Sequence, residues 1–572
     1  MSKADEKILV IQLARMGDIL QSTPLLAGLR EHHPQAHICF LANDELREVV
    51  ENNPCVDEVI GLKMRELSDF IDSPGNTLIE KYRLLKEELM SIEGRAFDIV
   101  FNLNYTPLSI LLSSLLDARE IRGYQPGSRG DGVIKDRWMN YLFALTSGRR
   151  LNRFNLVDIF AHSADAVPKQ KEPLFKITKK DRDFARLFCE GHRISDAQPV
   201  IGLQVGAGSK LRCWPADYIA NLAQLLVQRV NARVILFGSR SEAEVGRQIE
   251  VKSRDSGLRA EKLINAIGKT TIGQLAALLE RCDLLITPDT GTMHLATAVG
   301  TKVLALFFAS AYCYETGPYG DGNVVLQVNL PCSPCLESNP DCVDFRCRRM
   351  ITPQMVLEVV AHWSLVTGHQ SFLPSYHSPL ASHHSLIDRL PQGIDLLRSQ
   401  TDDWGVRYIL LNRRQPTCEE IVALWYERMW KGLLDRNCHP DLENDGYASH
   451  TDLHSPELVQ FTESVERVKR LLERGRRIEK FCFSKEQAEF EVAEIERLLT
   501  QEKNRCPWTA PLVDFYLLEK ENLRLKQDGF WDNLTSLLDE LCLGVRRLLS
   551  AAQRAEENFK PTLAGMTHEP FL

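Results

Sequence analysis

Through about the first 360 residues, short apolar runs of strand length alternate with stretches whose apolar positions recur every three to four residues. This is the rhythm of parallel strands joined by crossover helices. One series of strands is predicted at Ile8–Leu13, His37–Leu41, Glu58–Leu62, Asp98–Leu103 and Ile121–Tyr124. A second is predicted at Val200–Val205, Arg233–Phe237, Lys262–Ala266, Leu284–Thr287 and Lys302–Phe307. The polar stretch Asp165–Pro173 separates them, so the pattern predicts two facing, doubly wound α/β lobes over 1–165 and 174–367. In such folds ligands bind at the carboxyl ends of the strands, here in the cleft between the lobes.

Residues 368–400 shift to Ser, His and Pro and lose any period, so they read as a linker. Their histidines receive no metal role, because ligand spacing on a defined element is missing. Residues 401–572 turn helical: Leu458, Phe461, Val465, Val468 and Leu472 follow Ser455 and Pro456, an N-cap and a first-turn proline. Ser484 and Gln487 form a capping-box pattern ahead of Ala488, Val492, Ile495 and Leu499. Leu534, Leu537, Leu538, Leu541 and Val545 mark another helix. The stripes predict a mainly α-helical C-terminal domain without a catalytic constellation, suited to an acceptor or subunit contact or to stability.

Composition narrows the function. A chain of 572 residues accommodates three to four domains, or two large ones with an extension, and its net charge of -8 supplies no global positive field. Nucleic acid is therefore not the expected partner. The first residues lack a signal-peptide pattern, and the longest uncharged run, Ile99 to Leu116, carries Asn102, Asn104 and Pro107 and reads as strand, turn and helix. A cytoplasmic protein with at most peripheral membrane contact is expected. Of its 15 cysteines, four cluster at Cys332, Cys335, Cys342 and Cys347, and the scattered remainder read as reduced thiols.

Candidate chemistry lies at three strand-to-helix turns. Gly17 and Asp18 follow the first strand; glycine permits close approach of a ligand, and an aspartate there is by itself more often a cap than a catalyst. In the second lobe GAGSKLRCWP places Ser209, Lys210 and Arg212 where backbone amides and two cations can cradle a diphosphate. Leu211 stands where a dinucleotide fingerprint needs its third glycine, which argues against a nicotinamide enzyme. Finally PDTGTMHLA places Asp289, Thr290, Gly291 and His294 at the next turn, with His294 one turn into its helix.

These segments, together with Thr23–Pro24, NPCVDEVIGL, FGSRSE and TGPYG, resemble glycosyltransferase family 9, the ADP-heptose heptosyltransferases, over about Lys7 to Trp363. The resemblance implies a GT-B fold of two Rossmann-like lobes and inverting transfer of a heptose or related sugar from an ADP-sugar to a hydroxyl of a lipopolysaccharide or surface glycan. It implies Asp18 as general base and Gly17, Ser209, Lys210, Arg212, Glu242, Asp289, Thr290, Gly291 and His294 around the donor. The chain departs from the family in having Arg212 where Lys is frequent, and Phe308, Ala309 and Ser310 where Gly-Pro-Thr is usual. Two alternatives stand beside this activity: transfer to Ser or Thr of a surface protein, and non-catalytic nucleotide-sugar binding.

A single displacement by a hydroxyl needs one base and donors for the departing diphosphate, and no metal-binding DxD pair accompanies the cleft motifs, so no catalytic metal is expected. The cysteine loop, spaced x2, x6, x4, can surround one structural zinc or iron. Its position resembles the iron finger of heptosyltransferases that glycosylate autotransporter adhesins. Expected partners are the ADP-sugar and a glycan or protein acceptor, and a homo-oligomer at the inner face of the membrane is compatible with the sequence.

Overall fold

The computed structural model describes residues 6–557 except 74, 76, 91, 93, 128–131, 164–166, 196–197, 337–341, 343, 364–366, 368–389, 413–415, 436–454, 479–483 and 525–528. Its strands, in chain order, are β1 (Lys7–Gln12), β2 (His37–Asn43), β3 (Glu58–Leu62), β4 (Ala96–Asn102), β5 (Asp117–Pro126), β6 (Gly132–Ile134) and β7 (Val200–Gln204). There follow β8 (Arg233–Phe237), β9 (Leu263–Asn265), β10 (Leu284–Pro288), β11 (Val303–Phe307), β12 (Val324–Val328), β13 (Ile394–Asp402) and β14 (Gly405–Leu410). The chain divides into two compact units: Met1–Arg122 with Phe154–Arg413, and Gly123–Arg153 with Arg414–Leu572.

The first unit contains both α/β lobes. In the N-terminal lobe the strand order is β3-β2-β1-β4-β5, with β1 parallel to both β2 and β4. In the C-terminal lobe the order β9-β8-β7-β10-β11-β12 is parallel throughout. Both are doubly wound, with switch points between β1 and β4 and between β7 and β10. This is the GT-B type of architecture. The central strands read as unbroken apolar runs because helices cover both faces; Ile8–Ile11 and Leu284–Leu285 are fully buried. Ile219, Leu222 and Leu226 of the helix Ala216–Val230 join Val356 and Val360 of Pro353–Ala361 in the C-lobe core. The first of these helices stops at Asn231, whose φ of 54° is a left-handed C-cap.

The structure differs from the sequence expectation in two places. The linker expected over 368–400 and the helical domain expected from 401 give way at residues 394–410 to β13 and β14, which extend the C-lobe sheet as an antiparallel edge. Their alternation is hidden by the polar run Arg398–Asp403. An Asx turn closes the hairpin: Asp402 Oδ1 accepts the Trp404 and Gly405 amides at 2.8 and 3.1 Å. The His-rich tract itself lies outside the described residues.

The second difference is that Gly123–Arg153, expected in the N-lobe, belongs to the second unit. Its helix Arg137–Ala144 is amphipathic, and periodicity alone does not say which core receives the apolar face. That face carries Tyr141 into an aromatic core with Trp430, ring centroids 5.3 Å apart, and Trp430 meets Phe515 at 4.9 Å. The remaining helices are Cys418–Leu434, Pro456–Gly475, Lys485–Arg505, Ala510–Arg524 and Phe530–Glu557. Leu458, Phe461, Val465, Val468 and Leu472 are buried, and Ser455 and Ser484 accept amides of Leu458 and Gln487 as caps, as their spacing predicts. Among the described residues no helix is long and apolar enough to cross a membrane.

Candidate functional site

The sequence motifs converge at the two switch points, which face each other within the first unit. After β1 the chain turns at Arg15 into the short helix Met16–Gln21, whose first turn holds Asp18. A buried amide network fixes this turn: Asn104, after β4, accepts the Leu13 amide at 2.5 Å and donates to the side chain of Gln12. Neither Gln12 nor Asn104 stands out in the sequence, because an isolated amide at the end of an apolar run reads as a loop residue.

Asp18 is half-buried, and its Oδ2 accepts the Arg15 amide at 3.1 Å. Burial raises its pKa above the ordinary carboxylate value; the nearby charge of Asp289 pushes the same way, while the Arg15 amide and charge oppose it. A carboxylate so placed is a stronger base than one in water.

Opposite it, the helix Gly291–Ala298 begins after β10, and Thr290 caps it by accepting the Met293 amide at 3.4 Å. The two turns are packed together. A Cβ on Gly17 would lie 2.8 Å from His294 Cδ2, and one on Gly291 would lie 2.7 Å from Met16 Cε. Only glycine at both places allows this approach, which is why the GD and TG pairs carry so much information.

Asp289 is 6% exposed and is paired with the equally buried Arg212, whose Nη1 donates to its Oδ2 at 2.7 Å. Arg212 is thus held in place before any ligand arrives, with Nη2 directed at the glycine loop: a Cβ on Gly208 would lie 3.6 Å from it. His294 is 3% exposed, and its Nδ1 has no hydrogen-bond partner. Burial, and secondarily Arg212, push its pKa down to about 4 against the opposing pull of Asp289. It therefore enters the site as a neutral imidazole and not as the cation that its neighbours would otherwise suggest.

The remaining candidates are distributed unequally. Ser209 caps the turn Lys210–Arg212 by accepting the Leu211 amide at 3.3 Å, and Lys210 is exposed. Glu242 accepts the Ser239 amide at 2.6 Å and runs directly beneath Gly206, where a Cβ would collide with its carboxylate. It couples the loops after β7 and β8 as well as being available to a ligand. A further contact between the lobes is absent from the sequence motifs: Glu48 accepts the Thr271 hydroxyl at 3.1 Å and the Ile272 and Gly273 amides at 3.2 and 2.9 Å, capping the helix Ile272–Leu279.

The cysteine loop is tied to the same lobe. The Cys335 amide donates to Ala309 O at 3.0 Å, and Arg348 Nε donates to Cys213 O at 2.7 Å, next to Arg212. Ala309, in the segment that replaces Gly-Pro-Thr, has a φ of 58°. Burial raises the Cys347 thiol, and Cys335 and Cys342 are near enough to add to this, whereas Cys332 is exposed. Among the described residues the one trio of His, Cys, Asp or Glu ligand atoms within 4.8 Å is His37, Cys39 and Glu58, outside this loop. There Arg95 already holds Glu58 at 2.8 Å.

Comparison with known proteins identifies the family. The model of glycosyltransferase family 9 (heptosyltransferase) matches residues 87–342. Lipooligosaccharide heptosyltransferase 2 of Campylobacter jejuni is 29% identical over 171 residues, 29% of this chain and 52% of that protein, so the chain spans about half its length. Lipooligosaccharide heptosyltransferase 2 of Haemophilus influenzae is 30% identical over 325 residues, 56% of this chain and 88% of that protein. A solved glycosyltransferase family 9 structure from Veillonella parvula is 23% identical, covers 64% of this chain and 99% of its own, and superposes with a TM-score of 0.49. With a relative 30% identical over 88% of that protein, and the family model matching part of each lobe, the chain belongs to glycosyltransferase family 9, the heptosyltransferases.

Proposed function

We propose that this protein is an inverting glycosyltransferase that moves a heptose or related sugar from an ADP-activated donor to a hydroxyl of a lipopolysaccharide or similar surface glycan. The observation that carries the reading is the meeting of Asp18 with Asp289, Arg212 and His294 across the two switch points. The names of the relatives, lipooligosaccharide heptosyltransferases, supply the acceptor class.

The acceptor oxygen attacks the anomeric carbon as its proton passes to the Asp18 carboxylate, and the bond from that carbon to the diphosphate oxygen breaks. The electron pair leaves on the nucleoside diphosphate, where Arg212 Nη2, the amides of the Gly206–Ser209 loop and those near Gly291 meet the charge. Neutral His294 donates a hydrogen bond without adding charge. The Arg212–Asp289 pair keeps the guanidinium in position, so little reorganisation accompanies bond breaking.

The thiols of Cys332, Cys335, Cys342 and Cys347 suit a soft ion, and we propose that these four residues would hold a structural zinc or iron. Such an ion would steady the loop beside Ala309 and Cys213 and would supply no step of the transfer.

The test is release of ADP from ADP-heptose with a heptose-deficient lipopolysaccharide core as acceptor. Wild type is expected to release ADP and extend the core by one heptose. Asp18→Asn is expected to lose about 100-fold or more in rate while ADP affinity stays within a few-fold. Full turnover by Asp18→Asn would end the assignment of the base.

A further inference from the structure

Arg15 has no place in the motif reading, yet its side chain reaches the donor loop from the other lobe. A Cβ on Gly208 would lie 4.0 Å from Nη1 of Arg15 and 3.6 Å from Nη2 of Arg212. Two guanidinium groups, one from each lobe, thus close on the same glycine of the loop that follows β7. Asp289 and Asp18 lie on the far side of these cations, and the face toward the glycine loop is where a diphosphate can meet both guanidinium groups. The fold anchors the backbone of Arg15 and the guanidinium of Arg212. The Arg15 amide is bonded to Asp18, and Arg212 is bonded to Asp289. Arg15 itself is exposed, so it does not serve the core of either lobe.

We propose that Arg15 is a leaving-group residue: from the acceptor lobe it binds the diphosphate that Arg212 binds from the donor lobe. The proposal rests on the reading of the cleft as a nucleotide-sugar site and goes beyond it in assigning a residue of the acceptor lobe to the donor. Its planar guanidinium can take two phosphate oxygens at once, which a lysine cannot. Because Arg15 lies three residues before Asp18 on the same turn, diphosphate binding would also seat the base against the acceptor hydroxyl.

Titration calorimetry of the full chain with ADP, with AMP as the probe lacking the second phosphate, tests this, together with turnover. Arg15→Met is expected to weaken ADP about tenfold or more and AMP by less than threefold, to lower kcat, and to leave the melting temperature unchanged. Arg15→Lys is expected to recover part of the ADP affinity and less of kcat. If wild type bound ADP and Arg15→Met bound it within twofold of wild type, Arg15 would have no such role and the nucleotide site would stand. If wild type bound neither ADP, UDP nor GDP, the reading of the cleft and this proposal would fall together.

Discussion

Asp158 sits in the helix Leu156–Ser163 with 3% of its surface exposed. Its Oδ1 accepts the Tyr319 hydroxyl at 2.5 Å, and its Oδ2 accepts the Val406 amide at 3.2 Å. It therefore ties that helix to the loop after β11 and to β14. Gly405, with a φ of 142°, leaves no room for a Cβ beside the carboxyl. Burial pushes the pKa up to about 7; the two hydrogen bonds and Lys171 oppose this, and Asp402 adds to it. The folded pKa is raised above that of the unfolded chain, so the protonated acid is the form the fold favours. Its contribution to stability is fully present below the unfolded value near 4 and is lost as pH rises through about 7. A shift of about 3 units corresponds to about 4 kcal/mol in total, of which about 2.5 falls between pH 5 and 8. In Asp158→Asn the amide nitrogen donates to Tyr319 and the amide oxygen accepts from Val406, replacing the protonated acid without its titration. Urea unfolding of both proteins from pH 5 to 8 should show the variant gaining on wild type by about 2 kcal/mol as pH rises. A difference constant within about 0.5 kcal/mol would show that Asp158 ionises in the fold as it does in water.

Gly17→Ala places a methyl against His294 and should cost about 1–3 kcal/mol and most of the transfer rate, read by melting temperature and ADP release. An unchanged melting temperature would show that the two turns do not pack as described. Elemental analysis of protein prepared under reducing conditions should find about one zinc or iron per chain, with Cys335→Ser lowering both metal content and melting temperature. A metal-free wild-type preparation would remove the structural ion.

The doubly wound lobes are legible because buried parallel strands leave contiguous apolar runs, and β1, β7, β10 and β11 coincide with predicted ones within a residue or two. The segments that escape are those whose partners lie far off in sequence. β12 is apolar enough to be found but lies directly before the cysteine loop, and β13 earns its place by pairing Leu396 with Leu326, which no local pattern announces. The helix Arg137–Ala144 has a clear apolar face, but only the fold shows that Tyr141 meets Trp430.

The site follows the same division. Asp18, Arg212, Asp289 and His294 are visible as types at strand ends, yet the sequence assigns Arg212 and Asp289 to phosphate independently, whereas in the fold each is the other's partner at 2.7 Å. That pairing changes the chemistry expected of both. A buried Asp289 left without its cation is costly, so Arg212→Ala would perturb the fold as well as the donor site and is the poorer probe of phosphate binding. Arg15 has the opposite character: it is exposed and lies outside the core of either lobe, so its side chain can be removed with less expected effect on folding. The residue that the motif leaves unmarked is therefore the cleaner handle on how the diphosphate is held.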